Sequence, residues 1–268
     1  NLAERCAVSI FPTAAAEKHV SPGTETSDTE RQHTVSQSRR LKAGSAQKGK
    51  LNMERKASAS TLSMVQLALF SAIILAMAFT PGLGYIPLGV TRATIIHLPV
   101  IIGGILLGPK KGAFLGGVFG ATSLINNTIN PTITSFTFSP FYSGGNLWSL
   151  VICFIPRILI GVVAYYVYKG LCLLWKAAGK KKNNLFDAVS LGAAGLLGSM
   201  TNTVLVMGLI YICFGKSYAA AKGIGFDALY DVILGVVAVN GVLEALVAAV
   251  ITAVVCKVLL RVLKKQAV

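Results

Sequence analysis

Five side chains stand out because they are polar or charged inside long apolar runs: His97, Arg157, Asn202, Asn240 and Glu244. An uncompensated polar group in hydrocarbon costs several kcal/mol, so each must face a partner or a wet cavity. What they offer is recognition. Arg157 presents a planar fork that matches a carboxylate. His97, Asn202 and Asn240 can both donate and accept hydrogen bonds. Counted inward from one mouth of a helical bundle at about 1.5 Å per residue, His97 is shallow, Asn240 and Arg157 are deeper, and Asn202 and Glu244 are deeper still. Polar groups from several segments at comparable depth predict one cavity.

Two readings are open for Arg157. It pairs with the carboxylate of a ligand, or it forms a salt bridge with Glu244, the one acid deep in an apolar run after Met53. The residues favour the bridge, since Glu244 has no other obvious cation. Arg92 would then meet an anionic ligand at the mouth, or else serve as an interfacial anchor. Asn126 completes the candidate set. It opens an uncharged stretch, 126–146, that holds Phe136, Phe138, Phe141 and Tyr142. Aromatics give such a loop area to close over a small molecule, or to rest on a bilayer interface.

The motifs of bond-making chemistry are absent. GxxxxGK[ST], HExxH and GxSxG do not occur. Gly103 and Gly108 have the first spacing, but Pro109 follows where a lysine would stand. The five cysteines form no CxxC and no Cys/His metal pattern, so they read as small buried hydrophobes. Neither enzyme activity nor a metal or cofactor is expected.

The elements that must position these groups are membrane helices. Of the 268 residues, 54% are hydrophobic and 13% charged, against about a quarter charged in a soluble domain. The net charge of +15 invites a nucleic-acid reading, but the basic residues sit in short clusters between apolar runs, as in membrane proteins. Six spans are predicted: Leu62–Thr80, Ala93–Leu107, Gly112–Leu124, Leu147–Trp175, Phe186–Phe214 and Leu229–Leu263. The second and third are short for the roughly 20 residues a span needs. The lysine clusters after spans two, four and six fall on one side, which predicts an all-α bundle with both termini in the cytoplasm.

Residues 1–52 are polar and aperiodic, and they read as disordered. Met53, Glu54, Arg55 and Lys56 then lead into the first apolar run, as a bacterial membrane protein often begins. Residues 1–52 are therefore expected to lie outside the biological protein, and 53–268 to form the membrane domain.

Two rows of small residues recur every fourth position. Ala68, Ala72 and Ala76 make a flat stripe on the first span, and Gly112, Gly116 and Gly120 make another on the third. Such rows let helices approach closely. The glycine row is read as internal packing.

The run ATIIHLPVIIGGILLGPKKGAFLGGVFGATS (Ala93–Ser123) resembles the substrate-specific S components of energy-coupling factor (ECF) vitamin transporters. IPRILIG (Ile155–Gly161), GSMTNTVLVMGLIY (Gly198–Tyr211) and VNGVLEALVAAVI (Val239–Ile251) agree with it in order and spacing. The resemblance implies a six-helix vitamin binder, most like pantothenate-type members, with folate- and pyridoxine-type relatives sharing the general pattern. It also implies a transmembrane coupling protein and two ATPases as partners, with Ala68, Ala72 and Ala76 facing the coupling protein. The alternative class is a self-sufficient secondary carrier, which the dearth of intramembrane acids and of an internal repeat argues against.

Overall fold

The computed structural model describes residues 61–80, 84–88, 91–179 and 183–266. The expectations for 1–52 and for a start at Met53 lie outside the described residues. Helix α1 is Thr61–Phe79. A hairpin of β1 (Tyr85–Leu88) and β2 (Thr91–Thr94) follows, paired antiparallel with Tyr85 opposite Thr94. Then come α2 (His97–Leu107), α3 (Pro109–Ile129), a 3-10 turn (Ser135–Thr137), α4 (Leu147–Ala177) and α5 (Asn184–Lys222). The last segment is α6 (Leu229–Val236), which runs through a π-helical stretch, Val237–Gly241, into α7 (Val242–Gln266).

Four of these segments are long and apolar enough to cross a membrane: α1, α4, α5 and the α6–α7 run. At about 1.5 Å per residue, α3 with 21 residues spans roughly 31 Å, while α2 with 11 covers only about half a bilayer. The expected span Ala93–Leu107 is thus corrected. Ala93 and Thr94 belong to the hairpin, and the helix begins at His97. The all-helical expectation holds apart from this hairpin. Gly108, at φ +96, makes the tight turn from α2 to α3, and Pro109 takes the first helical position of α3, where its missing N–H costs nothing.

The exterior is apolar. Leu69, Ile73, Phe79, Val250, Val254 and Val258 are all exposed, which a bilayer tolerates and water does not. The buried face of α1 carries Ile74 and Ala78, with Leu67, Phe70 and Met77 packed against the core, a helical spacing of three and four. Ala68, Ala72 and Ala76 lie on the opposite, exposed face.

Inside, backbones touch. A Cβ on Gly104 of α2 would lie 2.5 Å from the carbonyl oxygen of Gly161 on α4, and one on Gly112 of α3 would lie 2.8 Å from the Cα of Gly104. Three helices cross here because none of the three residues has a side chain. The row continues along α3. Gly116 lies against the backbone of Arg157 and Ile158, and Gly120 against Cys153 and Phe154. The glycine row is internal packing, as its spacing predicts.

Gly116 and its neighbour Gly117 separate packing from helix propensity. A Cβ on Gly116 would overlap the Arg157 carbonyl, whereas Gly117 has nothing within 4 Å. Gly116→Ala should lower stability by about 1–3 kcal/mol, and Gly117→Ala should be neutral or stabilising by up to about 1 kcal/mol. Melting of both purified variants in detergent, followed by size exclusion, checks this. Equal losses would contradict the α3–α4 contact.

Candidate functional site

Helix α5 runs antiparallel to α4, fixed by Trp175 stacked on Phe186 at 4.1 Å and by Gly198 facing Ala164. The same Gly198 faces Ile101 of α2. One turn further toward the hairpin end lie Asn202 on α5 and His97 on α2, so these two come level. Helix α7 is antiparallel to α5 as well, with Gly195 against Ala248 and Gly241 against Thr203. That register sets Asn202 level with Gly241–Val242, next to Asn240, and Ser199 level with Glu244.

Three residues at this level hold buried polar atoms with no hydrogen-bond partner: both ring nitrogens of His97, Oγ of Ser199 and Oδ1 of Asn202. Buried polar atoms are nearly always satisfied. His97 is 2% exposed and stands at the first position of α2, beside the Thr94 backbone, which does not close a bond of ordinary geometry to the ring. Together the three offer donors and acceptors from two helices to a polar guest. His97 is also deeper than its sequence position suggests, because the hairpin occupies the residues that would have formed an outer turn of helix.

Arg157 is 6% exposed on α4. Pro156 has no N–H to give to the carbonyl of Ile152, four residues back, and Nη1 of Arg157 donates to that carbonyl at 2.6 Å. The proline thus creates the acceptor that its neighbour fills. The guanidinium also lies over two rings, 5.6 Å from the centroid of Phe119 and 5.0 Å from that of Phe138, contacts of about 0.5–2 kcal/mol each when desolvated. The α4–α5 register sets it within one turn of Asn202.

Glu244 is engaged elsewhere. Its Oε1 accepts the backbone N–H of Thr94 at 2.6 Å. The favoured Arg157–Glu244 bridge is therefore not the arrangement here. The two groups are drawn to different neighbours, one to a carbonyl freed by proline and the other to the root of the hairpin.

The aromatic stretch is folded down in its first half. Phe136 is buried edge-on against Phe214 at 5.7 Å, Phe138 is half-buried over Arg157, and Phe141 and Tyr142 are exposed. A polar knot holds it. Ser135 Oγ donates to Asn127 Oδ1 at 3.0 Å, Thr128 and Ser139 share a bond of 2.8 Å, and Ser149 Oγ donates to the Phe136 carbonyl at 2.6 Å. Asn126 is half-buried, and its Oδ1 accepts from Asn130 Nδ2 at 3.1 Å.

The structure thus brings His97, Asn202 and Asn240 to one level with Arg157 a turn away. Asn126 lies at the far end of α3, beside the knot. Arg92 sits on β2 opposite Pro87. Sequence reasoning missed two residues, Ser199 and Asn127. Ser199 was within reach, since it lies three residues before Asn202 on the same helical face. Asn127 carried no signal that set it apart from Asn126.

The family model for the substrate-specific component of ECF transporters matches residues 62–256. The pantothenic acid transporter PanT of Lactococcus lactis subsp. cremoris is 38% identical over 204 residues, which cover 72% of this chain and 96% of that protein. The pantothenate transporter PanT of Leuconostoc mesenteroides subsp. mesenteroides is 35% identical over 190 residues, 69% of this chain and 85% of that protein.

With different partners for Arg157 and Glu244, their effects on the empty protein should be independent. Arg157→Leu and Glu244→Leu should shift the stability of the ligand-free protein by amounts that add in the double variant to within about 0.5 kcal/mol. Melting temperatures of both singles and the double measure it. A double variant that recovers the loss of either single would restore the bridge.

Proposed function

The chain belongs to the substrate-specific components of ECF transporters and is a multi-pass protein of the cell membrane, and on that premise we propose that it captures pantothenate outside the cell and makes and breaks no bond itself. The observation that carries the site is the set of unpartnered buried atoms on His97, Ser199 and Asn202. Pantothenate has an amide and two hydroxyls to meet them, and a carboxylate for Arg157. Two pantothenate transporters among the relatives support that vitamin over folate or pyridoxine. Asn240 is level with the same set, while Arg92 and Asn126 would act nearer the mouth.

In this reading the hairpin end faces outward and the lysine-bearing ends of α3, α4 and α7 face the cytoplasm. A transmembrane coupling protein and two ATPases supply the energy. The exposed row Ala68, Ala72 and Ala76 supports a docking face on α1, since small residues let a partner helix come close. A self-sufficient carrier gains no support, because Glu244, among the described residues the one acid midway along a membrane helix, is tied to the hairpin backbone.

Titration calorimetry of the purified full chain with pantothenate, folate and pyridoxine tests the vitamin. Only pantothenate should bind tightly, and tight binding of either other vitamin with none of pantothenate would sink the assignment. Arg157→Ala should weaken pantothenate binding by about 2–5 kcal/mol. An unaltered affinity would remove Arg157 from the site.

Ala72→Trp should leave binding by the isolated protein intact and abolish uptake in cells that carry the energising module. Loss of both together would make the alanine row a packing feature.

A further inference from the structure

The hydrogen bond between Glu244 and Thr94 joins residues 150 positions apart in the chain. Thr94 ends β2, two residues before the cap of α2. That cap is Ile96, which has no side chain able to hold the first turn, and no side-chain hydrogen bond is made there. The entrance to α2, which carries His97, therefore has no side-chain cap, and its local tie is the Leu98 N–H to the Ile95 carbonyl at 3.0 Å. Its tie to the rest of the bundle comes from another helix. Glu244 follows the π-helical stretch by one turn and is half-buried among apolar residues. An acidic side chain in that setting must find a donor, and the one it finds is the hairpin's last amide. On the other side of the same corner the Ile95 N–H donates to the Gly84 carbonyl at 3.1 Å, which closes the base of the hairpin.

We infer that Glu244 is a positioning residue, a latch that holds the root of the hairpin and the first turn of α2 against α7, and so keeps His97 in place and controls how fast the vitamin leaves. The vitamin half of this inference rests on the reading given under Proposed function. The latch itself is a property of the empty protein. Opening it would free the hairpin, loosen the first turn of α2 and uncover the level where His97, Ser199 and Asn202 sit. Glu244 need not touch the ligand, since it acts through a backbone amide.

Two substitutions isolate the bond. Glu244→Met keeps the volume and removes the acceptor. Glu244→Gln keeps an acceptor oxygen. Hydrogen–deuterium exchange on the ligand-free, full-length protein in detergent should show peptides covering 85–96 exchanging roughly tenfold faster in E244M. Exchange in α4 and α5 should be unaltered, and E244Q should fall closer to the natural protein. Dissociation of radiolabelled pantothenate should quicken by a similar factor in E244M and be largely restored in E244Q. Unaltered hairpin exchange in E244M would overturn the latch, and so would faster exchange spread evenly over the bundle. A loosened hairpin with an unaltered dissociation rate would overturn its control of release. If the natural protein binds no pantothenate while hairpin exchange responds as expected, the latch stands and the vitamin assignment fails.

Discussion

The contact on which the rest of the bundle depends is the meeting of Gly104, Gly112 and Gly161, where α2, α3 and α4 touch through bare backbone. Helices in lipid gain nothing from hiding apolar side chains from one another, because the tails are as apolar as leucine. What remains is close approach and dispersion, and glycine permits both. The crossing also sets the position of Arg157, one turn along α4 from Gly161, with its own backbone against Gly116. A side chain at any of these glycines would push α4 outward and carry the guanidinium away from Phe119 and Phe138.

Burial of polar groups in this bundle follows two patterns. Some are settled within the chain. Arg157 takes the carbonyl that Pro156 releases, Glu244 takes the amide of Thr94, and Ser149 holds the Phe136 carbonyl. These bonds hold the backbone where it departs from simple helix: at an internal proline, at the hairpin and at the folded-down loop. Membrane interiors tolerate such irregular backbone only where protein satisfies it. The His97 ring nitrogens, Ser199 Oγ and Asn202 Oδ1 differ, since none closes a protein hydrogen bond of ordinary geometry, a condition shared away from this level by Thr252 Oγ1. Ser199 and Asn202 lie within the regular helix of α5, and His97 opens α2. In the proposed site these atoms are the ones that would meet the vitamin.

How much of this was legible depends on the range of each interaction. The spans around α1, α4, α5 and α7 could be read because apolar runs of that length have few alternatives. The glycine row of α3 could be read because spacing by four marks one face of a helix. Arg157 was legible as a buried charge, but its partner was not. The relation between Pro156 and the Ile152 carbonyl is local and could have been deduced, whereas the contact of Glu244 with Thr94 spans 150 residues and leaves no trace in spacing. The hairpin was hidden for another reason. Ala93–Leu107 is apolar enough to pass for a single helix, and two four-residue strands leave little periodicity to count. The choice between Asn126 and Asn127 turned on which side of α3 meets Ser135, and that is decided by the loop's fold.

Helix α1 completes the argument about what faces outward. Burial alone cannot separate a face meant for lipid from one meant for a protein, because both are exposed in the isolated chain. Shape can. Most of the outward face of the bundle carries large side chains such as Val250, Val254 and Val258, which fill space against mobile lipid tails and need no fixed complement. The outward face of α1 is interrupted by Ala68, Ala72 and Ala76, which form a shallow path along the axis between Leu69 and Ile73 on one side and Leu75 and Phe79 on the other. Lipid gains nothing from such a path, whereas a second helix laid in it gains contact along its whole length. For the docking face proposed above, the row that would weaken α1 as an inner helix is the feature that would suit it to an outer, detachable contact.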